Sequence, residues 1–194
     1  MDEVAAKARL HQDLRQARAA VLDRLKGLSD YDVRRPLTPT GTNFLGLVKH
    51  LATWESRYLG NVMGRPCPEP IPAWDDRSAR GNDMWATELE SRSHVLALFE
   101  RVTAHSDATI NELPLDAPGH VPWWHADVTL LDVVAHLIGE TRQHAGHADV
   151  LRELLDGEIG SGRHTSTVED DELFWKQRWA EVDRVARTVA SDTN

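Results

Sequence analysis

Residues 129–157 constrain this chain more than any other stretch, because they spell out a helix with its own start and stop. Thr129-Leu130-Leu131-Asp132 has the form of a capping box with Asp in place of Glu. Gly157 stands where a left-handed terminator belongs. Val133, Leu137, Leu151, Leu154 and Leu155 recur at helical spacing. At 100° per residue, His136, Glu140, His144 and His147 fall on that same apolar face, within an arc of roughly 80°. Asp132, Arg142, Asp149, Glu153 and Asp156 fall elsewhere on the circle and can face water. One carboxylate and three imidazoles turned toward a core need partners, because burying them bare is costly.

A divalent metal satisfies such a cluster, since it pairs with the carboxylate and accepts neutral imidazole nitrogens. Glu140 and His144 lie four apart and can chelate one ion; His144 and His147, three apart, are an alternative pair. Two ligands on one helix do not complete a site. His50, beside Leu47, Leu51 and Trp54 on an earlier helix, is the best third ligand, and His11 is a weaker one. The competing arrangement is a buried hydrogen-bond network, and a lone core histidine such as His50 more often belongs to one.

The rest of the chain supplies the partners of this helix. Leu10, Leu14, Ala17, Val21, Leu25 and Leu28 predict an amphipathic helix from about Asp2 to Leu28, with Lys7, Arg15, Arg18 and Arg24 on other faces. A second helix is expected from a Thr42 cap, with Phe44, Leu47, Leu51, Trp54 and Tyr58 inward and an end near Gly60 or Gly64. Residues 64–83 hold four prolines, which forbid regular structure in an unusually long connection. A third helix is expected over about 86–112, with Leu89, Leu96, Phe99, Thr103, Ser106 and Ile110 inward. An aromatic and histidine-rich loop, 114–125, follows it. A Gly/Ser/Thr-rich connection with His164 follows the fourth helix, and Trp175, Trp179, Val182, Ala186 and Val189 predict a fifth helix over about 170–190. No segment has convincing strand periodicity. The reading is an all-α four-helix bundle of antiparallel type over 1–157, then a linker and an amphipathic helix over 158–194, packed on the bundle or in a dimer interface.

Other chemistry lacks support. There is no Gly-rich phosphate loop, nucleophile elbow or His-Glu-x-x-His zincin motif. Cys67 stands between two prolines with no local base, and as the only cysteine it excludes an internal disulfide. His120 and His125 could cap a site mouth, and Trp123-Trp124 could wall a pocket. A formal charge of -9 argues against nucleic acid or an anionic membrane as partner. No apolar run reaches spanning length, and the N-terminus does not read as a signal peptide, so a cytoplasmic protein is expected.

Glu140-Thr141-Arg142-Gln143-His144-Ala145-Gly146-His147-Ala148-Asp149-Val150-Leu151-Arg152-Glu153, Gly46-Leu47-Val48-Lys49-His50-Leu51-Ala52 and Leu115-Asp116-Ala117-Pro118-Gly119 together resemble the DinB-like superfamily, in its actinobacterial mini-circle-protein branch. The resemblance covers about residues 5–157. It implies a four-helix bundle, commonly dimeric, with a metal held by His50, Glu140 and His144. Many relatives have His where this chain has Glu140; thiol-linked isomerase relatives have Glu. Zinc is the implied metal, with nickel, iron and manganese as alternatives. The implied activity is thiol S-transfer, with a mycothiol-like thiol and an electrophile as partners. His147 would tune geometry or move a proton, and Arg152 with the 120–125 loop would recognise the thiol. A metal-dependent hydrolase and a non-enzymatic binding module are the alternatives.

Overall fold

The computed structural model describes residues 2–158 and 172–191. Four side chains start its bundle helices. Asp2 caps α1 (Glu3–Asp23), Asn43 caps α2 (Phe44–Glu55), Ser91 caps α3 (Arg92–Glu112) and Thr129 caps α4 (Leu130–Asp156). Each accepts a backbone N–H of the first turn that has no partner within its helix. The expected capping box on α4 is present in both directions: Asp132 N–H donates to Thr129 Oγ1, and Thr129 N–H donates to Asp132 Oδ2. Gly157 terminates α4 in the left-handed conformation, φ 81°.

Three boundaries differ from the sequence expectation. α1 stops at Asp23 rather than Leu28, and residues 24–27 form a turn whose Arg24 and Lys26 carbonyls accept from Arg152. α2 starts one residue late, on Asn43 rather than Thr42, and continues as a π-helix over Ser56–Val62. α3 starts at Arg92 rather than 86, because Glu90 ties the preceding turn to α2. Its carboxylate accepts from the Thr87 N–H and pairs with Lys49 at 2.8 Å. Leu89, expected on the inner face, is therefore 89% exposed.

The side chains divide into two packed groups. Val21, Leu25, Phe44, Leu47, Val48, Val95, Phe99, Ala148 and Leu151 fill one end of the bundle. Leu14, Tyr58, Leu59, Ile110, Leu130, Val134 and Leu137 fill the other. This grouping sets the helix directions. α1 and α4 run the same way, and α2 and α3 run together against them. The antiparallel bundle expected from the sequence is thus an up-down-down-up one. The connection from residue 63 to 91 has to run back along α2 and its π extension, a span of roughly 30 Å, which explains its length.

Two features escaped the periodicity. A hairpin, β1 (Pro118–Val121) and β2 (Ala126–Thr129), pairs Pro118 with Thr129 through Val121 with Ala126. Its four-residue strands are too short to show a period of two. Arg18 and Arg24, expected off the core, are buried at 5% and 7% exposure. Arg18 is neutralised inside by Glu55 and Asp107, and Arg24 pairs with Asp23.

The chain divides into two compact units, Met1–Glu158 and Ile159–Asn194. The second contains α5 (Glu172–Ser191), where Leu173, Trp179, Val182, Val185 and Val189 are exposed. The connection beyond residue 158, with His164, lies outside the described residues. Among the described residues no helix is long and apolar enough to cross a membrane.

Candidate metal centre

The site begins with a glycine. A Cβ at Gly46 would overlap the carbonyl of Met84, so only glycine lets the short 3-10 turn Asn82–Met84 lie against the first turn of α2. That contact delivers the carboxylate of Asp83 to α2. His50 Nδ1 lies 2.7 Å from Asp83 Oδ2, and Trp54 Nε1 donates to the same oxygen at 3.1 Å. Gly46→Ala is expected to push the turn away and cost about 1–3 kcal/mol, read by urea unfolding.

His50 Nε2 then faces α4. It lies 3.5 Å from Glu140 Oε1, and His144 Nε2 lies 3.0 Å from the same oxygen. The His50 and His144 rings meet edge-on at 4.8 Å. One ligand atom from each of His50, Glu140 and His144 lies within 4.8 Å of the other two, and all three residues are half-buried. The cluster sits between the two apolar groups, with Leu137 on one side and Ala145 on the other.

The electrostatics suit a cation. Burial pushes the Glu140 carboxyl up, but His144 and His50 more than offset this and hold it below its ordinary value. Burial and the adjacent His50 push His144 down, which favours the neutral imidazole that a metal requires. Two imidazole nitrogens and one carboxylate oxygen, with one imidazole fixed from behind by a carboxylate, make a donor set whose chemistry fits a divalent ion.

The other sequence candidates lie at varied distances from this cluster. His147 is exposed, with Nδ1 3.4 Å from His144 Nδ1. His136 is one turn before Glu140 and packs on Tyr58 at 4.8 Å and Trp124 at 4.7 Å, where burial pushes its pKa down. His11 lies 2.9 Å from Asp107, among the buried charges of α1. The structure does not bring Arg152 to the cluster. Its guanidinium is held by Asp156 at 2.7 Å and by the carbonyls of Arg24 and Lys26. His120 pairs with Asp127 on the hairpin, 2.8 Å away. Trp123 does form a wall, packing on Trp54 and Tyr58 and donating from Nε1 to Tyr58 Oη at 3.0 Å.

Sequence reasoning missed Asp83 as a partner of His50. The only signal for it was the length of the proline-rich connection that carries it.

A family model described as mycothiol-S-transferase matches residues 9–157. The chain belongs to the mycothiol-S-transferase family. This agrees with the DinB-like resemblance of the α2 and α4 motifs, and the match ends at the Gly157 cap. Among solved structures, YfiT from Bacillus subtilis is described as a probable metal-dependent hydrolase with an unusual four-helix bundle topology. It superposes with a TM-score of 0.61 at 17% identity, covering 81% of this chain and 92% of that one, which shows a shared fold. No curated protein sequence matches the chain. The chain is thus a DinB-type protein, and His50, Glu140 and His144 form a group of side chains that could hold a divalent ion.

Proposed function

We propose that the protein is a metal-dependent S-transferase in which His50, Glu140 and His144 hold one zinc ion and a mycothiol-type thiol adds to an electrophile. The observation that carries this reading is the convergence of three donors within 4.8 Å, one of them anchored by Asp83. A bound divalent ion would supply Lewis-acid stabilisation of a thiolate at neutral pH.

The protein's own groups do the rest. Asp83 takes the Nδ1–H of His50, which leaves Nε2 as a lone pair toward the centre. Glu140 contributes negative charge and keeps the site selective for cations. His147, exposed beside His144, is placed to pass the thiol proton to water. As the S–H proton leaves to water, the sulfur lone pair forms the bond to the electrophile's carbon; with monobromobimane the C–Br bond breaks and its electron pair leaves with bromide. Arg152 has no part in this, because Asp156 and the carbonyls of Arg24 and Lys26 hold its guanidinium at the turn after α1 rather than at the cluster.

A thiol substrate must stay reduced, which supports a cytoplasmic location for such an enzyme. The apolar residues exposed on α5 are assigned to a homodimer contact.

The test is S-conjugate formation from mycothiol and monobromobimane by the zinc-loaded protein. A rate proportional to protein, dependent on thiol and lost on chelation is expected. Electrophile hydrolysis without thiol would identify a hydrolase. A fully loaded protein with no turnover would identify a binding module.

A further inference from the structure

Among the described residues, Arg57 is the one arginine or lysine lining its cleft that no carboxylate pairs with. Lys49 pairs with Glu90 at 2.8 Å, and Arg101 pairs with Glu69 at 2.6 Å. Arg57 makes a single hydrogen bond, from Nη2 to the carbonyl of Pro72 at 3.0 Å. A guanidinium has five N–H groups. Nε of Arg57 is buried without a partner. Its guanidinium carbon lies over the Trp54 ring, 4.5 Å from the ring centre. Burial pushes its pKa down, and the nearby Asp83 carboxylate only partly opposes that shift. Of the acids that line the cleft, Asp83 is committed to His50 and Trp54, and Glu69 to Arg101.

Two cavities meet at this residue. One, of about 330 Å³, is walled by Trp74, Trp123, Pro122 and Ile71. The other, of about 550 Å³, is walled by Ile71, Pro72, Trp85 and Leu98. Both run under the proline-rich connection, and Arg57 lines both. Trp74 and Trp123 pack on each other in the smaller one, with ring centres 5.7 Å apart and planes tilted by 50°. A cleft with indole and aliphatic walls, whose other cations are paired and whose Arg57 guanidinium is not, matches a flat organic acid: the carboxylate can take two parallel bonds from the fork while the ring lies on indole.

We infer that this cleft binds a small aromatic carboxylate through Arg57, at a place separate from the His50, Glu140 and His144 donors. The ligand is either the electrophile of the reaction or an effector distinct from it; the two share this chemistry. Trp54 lies between the cleft and the metal centre, stacked under Arg57 and bonded to the Asp83 oxygen that holds His50.

The test is calorimetric titration of the full-length protein with 2-naphthoate and with its neutral isostere 2-naphthamide. It needs neither metal nor thiol, so it stands apart from the transferase reading. One saturable site is expected for the acid, with binding of the amide at least about 10-fold weaker, or about 1.4 kcal/mol. Arg57→Gln is expected to remove that preference, and Arg57→Lys to keep part of it, because an ammonium lacks the planar fork. Trp74→Ala should weaken both ligands alike. Equal binding of acid and amide, unchanged binding in a folded Arg57→Gln protein, or no saturable binding would overturn the inference. If Arg57→Gln does not fold, the acid and amide comparison on the wild type still decides. Inhibition of S-conjugation that competes with the electrophile would mark a substrate subsite. Inhibition that does not compete would mark an effector site.

Discussion

Asp83→Ala is expected to weaken metal binding by about 10- to 100-fold while leaving the bundle folded. The carboxylate touches no other donor of the cluster. Its oxygen holds His50 Nδ1 at 2.7 Å and Trp54 Nε1 at 3.1 Å. Without it the imidazole can turn about its side chain and can carry its proton on the nitrogen that should face the centre. Asp83→Asn tests the same point more finely. The amide oxygen can still accept from His50, so the ring keeps its orientation but loses the negative charge behind it, and a smaller loss is expected. Zinc affinity by competition with a chromophoric chelator reads both variants. Equal affinity in wild type and Asp83→Ala would show that His50 is not positioned from behind.

Arg18→Met is expected to cost about 3–5 kcal/mol, because it strands a charge in the core. Glu55 is 2% exposed, and its carboxylate accepts from Arg18 Nη2 at 2.6 Å and Nε at 3.0 Å. Arg18 Nη1 also donates to Asp107 at 2.6 Å. Burial pushes the Glu55 carboxyl up, and Arg18 opposes that shift. Remove the guanidinium and Glu55 must take up a proton or admit water. The double variant with Glu55→Met is expected to recover much of the loss, because an apolar pair leaves no bare charge. Urea unfolding at neutral pH reads all of these. Acid titration adds a check. Burial pushes Asp107 up, but Arg18 and His11 hold it below its ordinary value of 3.8. A carboxyl lowered in the folded state stabilises above its unfolded pKa, and that support is lost as pH falls through the lower folded value. The acid limb of the stability profile should therefore be shallower in Arg18→Met.

How much of this was legible in the sequence depended on range. α4 was legible almost to the residue, because the Thr129 box, the Gly157 stop and a continuous apolar stripe are local signals. The pair Glu140 and His144 was legible for the same reason, since four residues on a helix fix their spacing. The third donor depended on which helix faces α4, which spacing does not encode; the family motif named His50, and the structure brings its Nε2 to within 3.5 Å of Glu140. The helix directions were hidden, because an amphipathic stripe reads the same in either direction. Asp83 was hidden because it lies 33 residues from His50 and reaches it only through a turn that packs against the backbone at Gly46. Arg18 reads as solvent-facing in the sequence because a charge on a helix usually is, and its acid partner Glu55 lies 37 residues away. Leu89 failed in the opposite sense, since a turn pinned by Glu90 displaced the start of α3.

Elemental analysis of the untagged protein, purified without chelator, beside its His144→Ala variant tests the metal centre most directly. The account predicts about one divalent ion per chain in the wild type and essentially none in a folded His144→Ala. No metal in the wild type, and none taken up when zinc, nickel, iron or manganese is added, would contradict it. The histidines of α2 and α4 would then be a hydrogen-bonded core network.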